Sequence, residues 1–318
     1  MNEGQKIEVR LTAIRYAARD INLFEFSRLD AGSLPAAAPG AHVDLHLPGG
    51  MVRQYSLVEP GEDLSTYTVG IKREAQSRGG SSFVFDRLKV GDVLAISPPR
   101  NHFRLEESAP ASIFVSGGIG ITPIHAMMRR LSEIGRPWKL YYACRSRADL
   151  PAFGMLARVS PEQLHLHVDD ESSGAFLDIA AIVASAPPGA HLYCCGPAPM
   201  LATFEKATAA LPADRVHVEH FTAREAVLST RDFVVRLSRS NREFTVPAGK
   251  TILGVLRAAG LNVAFSCEEG VCGACETAVL SGIPEHHDSI LTAGERAKND
   301  TMMICCGGAR SDLLVLDL

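Results

Sequence analysis

The chain of 318 residues contains no apolar run of 18 residues, so no segment of it reads as a membrane-spanning helix. It also lacks an excess of positive charge. Its 32 Lys and Arg stand against 36 Asp and Glu, a formal net of −4, and the basic residues are scattered, which argues against a nucleic-acid partner. The first residues, Met-Asn-Glu-Gly-Gln-Lys, have no apolar core of a secretory signal, so a cytoplasmic location is expected. Internal repeats and low-complexity tracts are absent, and the length suits two or three ordinary globular domains. Among its 8 cysteines the paired C-x2-C knuckles of a zinc site are missing, since only one such pair occurs.

What the cysteines do form is more informative. Cys267, Cys272 and Cys275 follow as C-x4-C-x2-C, and Cys305 lies further on. That is the spacing of a plant-type [2Fe–2S] site, whose chemistry moves one electron at a time. Four thiolates, two irons and two sulfides carry net negative charge, so the loop must turn backbone N–H groups toward the sulfurs. Gly270 and Gly273 permit this, because glycine reaches positive φ without a steric cost. Cys305 and Cys306 are adjacent; the apolar run Met302-Met303-Ile304 would bring a strand end to the cluster and favours Cys305 as the fourth ligand. Residues 264–318 hold nine Asp/Glu against three Lys/Arg. Either this is a solvated face, or it is an acidic docking surface that steers a basic partner.

Three rhythms divide the chain. Residues 6–105 read as short strands, Ile7–Ala17, Ile21–Leu29, Ala41–Leu47, Val52–Val58, Tyr67–Ile71 and Val93–Ile96, punctuated by Pro and Gly. This predicts an antiparallel barrel. Residues 110–221 alternate apolar runs (Ile113–Val115, Leu140–Ala143, Leu164–Val168, Leu192–Cys195, Val216–Val218) with helical stretches (Thr122–Glu133, Pro151–Val159, Leu177–Ala184, Ala198–Ala210). That is the pattern of a doubly wound parallel sheet. Residues 222–231 are polar and aperiodic. Strands at Phe233–Leu237 and Glu243–Val246 and a helix at Thr251–Ala259 then precede the cluster loop. The expected domains are 1–106, 107–224 and 232–318, with a linker at 225–231.

Ser116-Gly117-Gly118-Ile119-Gly120-Ile121-Thr122-Pro123 falls at the first strand-to-helix turn of the middle segment. Glycines there let the backbone approach a pyrophosphate, and the following helix presents its positive end. Cys195-Gly196-Pro197 ends another strand of the same sheet, and both turns should open on one crevice. Arg53-Gln54-Tyr55-Ser56 lies on a barrel strand and offers a cation, a planar ring and a hydroxyl to a flavin. Arg78-Gly79-Gly80-Ser81 adds a second anion-binding turn.

The combination resembles the phthalate dioxygenase reductase family, which includes reductase subunits of vanillate O-demethylase. It is carried by Arg53–Ser56, Ile71-Lys72-Arg73, Gly79-Gly80-Ser81, Gly117–Pro123, Cys195-Gly196-Pro197 and the four cysteines, and it spans essentially the whole chain. The resemblance implies an FMN-binding antiparallel β-barrel, an α/β NADH-binding domain and an α+β (β-grasp) ferredoxin domain. It implies FMN contacts from Arg53, Gln54, Tyr55, Ser56, Ile71, Lys72, Arg73, Gly79, Gly80, Ser81 and Ser82, with Thr122 and Phe221 near the flavin. The nucleotide would meet Gly117, Gly118, Gly120, Arg145, Cys195, Gly196 and Pro197. Cys267, Cys272, Cys275 and Cys305 would hold the cluster. Electrons would pass from NADH through flavin and cluster to a Rieske-type oxygenase, with no nucleic acid or membrane involved and the chain acting as a monomer. The flavin is the necessary converter, since NADH gives two electrons at once and the cluster takes one.

Two questions stay open in the residues. The second strand of the middle segment ends in Cys144-Arg145-Ser146-Arg147, with Asp149 late. Either arginine suits the 2′-phosphate of NADPH, whereas a carboxylate would read the ribose hydroxyls of NADH. FAD replaces FMN in some three-part reductases, although no extra segment for an adenylate is evident. The alternative is therefore an FAD-containing or NADPH-using ferredoxin-fused reductase serving another acceptor. His42, His102, His125, His165 and His167 read as structural, and His286-His287 as a solvated turn.

Overall fold

Six strands close into an antiparallel barrel in the computed structural model, which describes residues 6–60, 64–74, 79–151, 159–221 and 229–318. They are β1 (Ile7–Ala18), β2 (Ile21–Arg28), β3 (His42–Leu47), β4 (Met51–Pro60), β5 (Thr66–Lys72) and β6 (Val93–Ile96), in the order β1-β2-β5-β4-β3-β6. Closure follows from alternation. Val43, Leu45 and Leu47 point inward with Phe24, Phe26 and Val69, while the intervening Asp44 is held by Arg100 and Gln54. Helix α1 (Gly80–Arg87) fills the connection between β5 and β6, where the sequence suggested only a turn. No side chain caps it; Gly79 starts it at φ +96°, a conformation that favours glycine.

The same compact unit, residues 1–219, contains a five-stranded parallel sheet. Its strands are β7 (Ser112–Gly117), β8 (Trp138–Cys144), β9 (Leu164–Val168), β10 (His191–Cys195) and β11 (Val216–Glu219), with α2 (Ile121–Glu133), α3 (Ile179–Ala184) and α4 (Ala198–Thr208). The order β11-β10-β7-β8-β9 means that the chain enters at the centre, runs to one edge, then crosses back. The order reverses between β7 and β10, and a crevice outside the carboxyl ends of the strands is expected there. Helix α2 buries Ile121, Ile124, Met128 and Leu131, a stripe with helical spacing. His125 on that helix is also buried and faces the Val58 carbonyl at 3.3 Å, in keeping with a structural role.

The second unit, residues 220–318, is built on a sheet of order β13-β12-β18-β14-β16. These strands are β12 (Phe233–Leu237), β13 (Arg242–Val246), β14 (Glu276–Ser281), β16 (Thr301–Met303) and β18 (Leu313–Leu316). β15 (Pro284–Glu285) pairs separately with β17 (Gly308–Ala309). β18 runs parallel to β12 and antiparallel to β14, so it is an interior strand. Helix α5 (Ile252–Ala258) is capped by Thr251, whose hydroxyl accepts the Gly254 N–H at 3.0 Å. Helix α6 (Ala293–Lys298) starts with a Thr292–Glu295 capping box.

Some expectations fall elsewhere. The helix expected at Pro151–Val159, most of the polar stretch 222–231 and Arg78 lie outside the described residues. His286 and His287 are not solvated: their side chains are 9% and 15% exposed. The segment that carries them is drawn inward, because the Ser289 N–H bonds to the Gly270 carbonyl and the Arg296 guanidinium to the Asp288 carbonyl. Among the described residues no helix is long and apolar enough to cross a membrane.

Candidate functional site

The turn after β7 and the turn after β10 meet. A Cβ on Gly120 would overlap the Cys195 carbonyl, and one on Gly117 would lie 2.9 Å from both Pro197 and Met200. Gly196 is equally confined, 2.7 Å from the Met200 sulfur. Gly118 takes φ +55° with nothing opposite it, and its carbonyl accepts the Tyr142 hydroxyl at 2.9 Å. The backbone of Gly117 and Gly118, just ahead of α2, therefore faces an open crevice of about 890 Å³. Gly117, Gly118, Arg145, Pro197 and Lys72 line it; Gly120, Cys195 and Gly196 form its floor from behind.

One wall of the crevice belongs to the barrel. Arg19, in the turn between β1 and β2, holds both carboxylate oxygens of Asp149 at 2.9 and 2.8 Å and reaches Ser146 at 3.1 Å. Thr122 is buried at the start of α2, with its methyl placed where a Gly70 Cβ would be, on β5. Its hydroxyl donates to the Ile119 carbonyl.

On β4, Arg53 and Tyr55 are two residues apart and share a face. The Arg53 side chain runs under the start of α1, so close that a Cβ on Gly80 would lie 2.6 Å from it. A guanidinium and a helix N-terminus thus converge, which is how an anion is held. Burial pushes the Tyr55 phenol up to about 12, so the ring is neutral and mostly enclosed. Ser56 is buried, and Gln54 turns to Asp44 at 3.1 Å. The Ile71 side chain is in the barrel core, and its backbone is in register with Asn22 of β2. Lys72 pairs with Glu74 and Arg73 with Asp86, while the Ser81 hydroxyl accepts the Glu74 N–H. Ser82 is on the first turn of α1. Phe221, the second residue of the second unit, is 40% exposed.

A residue that the sequence did not single out lies beside Cys195. Ser116, Cys195 and Glu219 are in register at the carboxyl ends of β7, β10 and β11. Glu219 is partly buried, and desolvation pushes its carboxyl up to about 8; the Cys195 thiol is 3.9 Å away and is itself raised by burial. The upward shift favours the protonated carboxyl, which accepts from the Cys195 thiol in this arrangement. The Ser116 hydroxyl has no hydrogen-bond partner among the described residues. The available signal was a carboxylate ending an otherwise apolar strand.

In the second unit the cluster loop bends through three left-handed residues, Glu268, Gly270 and Gly273. The bends turn N–H groups onto sulfur: Glu269 donates to Cys267 at 3.3 Å, and Cys267 to Cys272 at 3.5 Å. The Cys305 sulfur adjoins those of Cys267, Cys275 and Cys306, so the four expected ligands gather at one point of the loop. Cys267 is held well below the usual thiol range by Cys272 and Cys305, and Cys272 is raised by the same contact and by burial. Among the described residues no three donors have the geometry to hold one ion, whereas a [2Fe–2S] group spreads four thiolates over two irons. The donor set, the N–H groups aimed at sulfur and the left-handed glycines fit that group, with Cys267, Cys272, Cys275 and Cys305 as its holders. Arg257 on α5 braces the loop: it bonds Glu268 at 2.9 Å and lies 4.0 Å above the Phe265 ring.

Residues 235–309 match the model of the 2Fe-2S iron-sulfur cluster binding domain, and residues 114–206 that of the oxidoreductase NAD-binding domain. The phenoxybenzoate dioxygenase subunit beta of Ectopseudomonas oleovorans is 47% identical over 312 residues, which is 98% of this chain and 97% of that protein. Phthalate dioxygenase reductase, solved as a modular structure for electron transfer from pyridine nucleotides to [2Fe–2S], superposes with a TM-score of 0.71. It is 36% identical, over 99% of each chain. An intact type IV self-sufficient cytochrome P450 monooxygenase matches 98% of this chain at a TM-score of 0.92 and 37% identity; this chain spans 41% of that longer polypeptide. A flavin, a pyridine nucleotide and a [2Fe–2S] cluster are the cofactors that go with such a chain. The chain belongs to the phthalate dioxygenase reductase family, oxidoreductases that carry electrons from pyridine nucleotides to iron–sulfur centres in oxygenase systems.

Proposed function

We propose that this protein is the reductase of a Rieske-type aromatic oxygenase or demethylase, taking electrons from NADH through FMN and the [2Fe–2S] cluster. The observation that carries the reading is the meeting of the Gly117–Gly120 and Cys195–Pro197 turns on one crevice, in a chain that also gathers four cysteines on a left-handed loop. FMN is favoured over FAD by the Arg53–Gly80 cradle, which suits one terminal phosphate. The division into 1–106, 107–224 and 232–318 assigns one cofactor to each part. Eight free cysteines suit a reducing cytoplasm, and a monomer is the simplest working state.

When bound, the flavin accepts two electrons as hydride and releases them singly, as the cluster requires. The chain's residues prepare that exchange. The backbone of Gly117 and Gly118, ahead of α2, would hold the pyrophosphate. Gly120 and Gly196, having no side chains, let the two turns close on each other beneath the crevice that would take the nucleotide. Thr122 on α2 is packed against Gly70 of β5 and so joins the nucleotide sheet to the flavin barrel. Glu219, its carboxyl raised by desolvation, and the Cys195 thiol would limit the negative charge at the strand ends below the crevice.

The test is an anaerobic NADH titration of purified holoprotein, with flavin extraction and an iron count. One FMN, two irons, flavin bleaching and a reduced-cluster electron paramagnetic resonance signal are expected, followed by reoxidation on adding a Rieske oxygenase. Stoichiometric zinc without sulfide, or a flavin that NADH leaves oxidised, would overturn the reading.

A further inference from the structure

Arg147 has the position for a 2′-phosphate. β8 is the second strand of the parallel sheet in chain order, and the residues just beyond such a strand meet the adenosine ribose. Arg147 lies between Ser146 and Asp149, both on the crevice wall. Yet its guanidinium is occupied. Nε and Nη2 grip the two carboxylate oxygens of Glu171 at 2.6 and 2.9 Å, a two-pronged pair of the kind a phosphate would otherwise accept. Glu171 stands just beyond β9, whose following turn is tied to the β8 turn by the Asp170 N–H on the Arg145 carbonyl at 3.0 Å.

The second carboxylate of this corner is engaged as well. Asp149 spends its oxygens on Arg19, Ser146 Oγ and the Ser146 N–H. Around them the crevice is lined by Asp20, Asp169 and Asp170 in addition to Asp149, against Arg19, Lys72 and Arg145. A dianionic 2′-phosphate entering this corner would meet Asp169 and Asp170 and would have to break the Glu171 pair to reach Arg147. A ribose with a free 2′-hydroxyl faces neither cost.

We propose that Glu171 sets the nucleotide preference of this reductase by occupying Arg147, so that the chain refuses NADPH through a blocked arginine rather than through the absence of one. The inference rests on the reading of the crevice as the pyridine-nucleotide site. It goes beyond that reading by naming a specificity-determining residue outside the glycine turns. Both partners are at the surface, with side chains 66% and 50% exposed, so substitution at either one leaves the core intact.

The experiment compares wild-type holoprotein with E171Q, R147Q and the double variant. It measures NADH- and NADPH-driven flavin reduction by stopped flow, and binding of AMP and 2′,5′-ADP by calorimetry. In E171Q the KM for NADPH and the Kd for 2′,5′-ADP should fall about tenfold or more, as a freed charged fork on phosphate allows, with NADH and AMP nearly unchanged. R147Q alone should alter neither nucleotide strongly, and the double variant should lose the gain. An E171Q protein with unchanged 2′,5′-ADP affinity overturns the proposal. So does an equal gain in the double variant, which would assign the effect to removal of a carboxylate alone. Stopped flow separates this from the wider reading: if neither nucleotide reduces the wild-type flavin, the function is wrong whatever Glu171 does.

Discussion

Gly270→Ala in the cluster loop should release iron while leaving the flavin half of the protein working. Two costs act together. The residue sits at φ +69°, where a Cβ costs roughly 1–2 kcal/mol. That Cβ would also lie 2.6 Å from the Cys306 sulfur and 3.0 Å from the Asp288 Cα, an overpacking of about 1–3 kcal/mol. The sum, about 2–5 kcal/mol, is a large share of the 5–15 kcal/mol that typically stabilises a folded domain. The sulfur contact can be removed separately: Gly270→Ala with Cys306→Ala clears the 2.6 Å clash but leaves the left-handed backbone and Asp288. Iron per chain, visible absorbance and melting temperature are the measurements. The single variant should lose cluster and melt lower, and the double should recover roughly half. FMN content and NADH:ferricyanide activity should stay near wild type. Wild-type iron and melting in Gly270→Ala, or a double variant no better than the single, would refute the reasoning.

Three further outcomes follow from the site. Cys305→Ser should abolish or strongly shift the cluster spectrum while FMN remains, and Cys306→Ser should do neither; the reverse pattern would put the ligand one residue later. The Glu219 carboxyl is raised by desolvation from 4.5 to about 8, so the folded chain keeps a proton that the unfolded chain gives up above 4.5. Stability should therefore decline as pH rises from about 4.5 to about 8, and Glu219→Gln should remove that slope in denaturant midpoints measured across the range. Reduction of the oxygenase should weaken with salt through the association rate, because residues 264–318 carry nine acids against three bases. Salt-independent rates would leave that face as ordinary solvated surface. Glu268 is a poor probe here, since it is also the partner of Arg257.

Much of the architecture could be read in advance because it rests on local signals. Alternation in β3 and the Pro and Gly punctuation announced the barrel, and strand–helix alternation announced the parallel sheet. The contact between the Gly120 and Cys195 turns followed from one rule about strand ends. Helix α1 escaped notice because it opens on two glycines with no capping side chain, which is the signature of a turn. The order β13-β12-β18-β14-β16 was hidden because its pairings join residues far apart in sequence, for which periodicity holds no information. His286 and His287 look like a polar surface turn until the Gly270 carbonyl and Arg296 are seen to draw their segment inward. The occupied state of Arg147 was equally hidden: its partner Glu171 comes from the next strand's turn, so the sequence shows an available cation where the fold has a paired one.

The interior position of β18 has a consequence for how the protein is made. Val234–Leu237 can pair early with Arg242–Val246 but gain their second partner only when Leu313–Leu316 have left the ribosome, and the four cluster cysteines all lie between β12 and β18. A nascent chain therefore exposes Cys267, Cys272 and Cys275 before the sheet that positions them can exist, while residues 1–219 are already complete enough to fold. The flavin half is available early, and the iron–sulfur half waits for its final strand. Cells that run short of cluster-assembly capacity should accumulate a yellow, flavin-loaded species whose second half is still open to proteases.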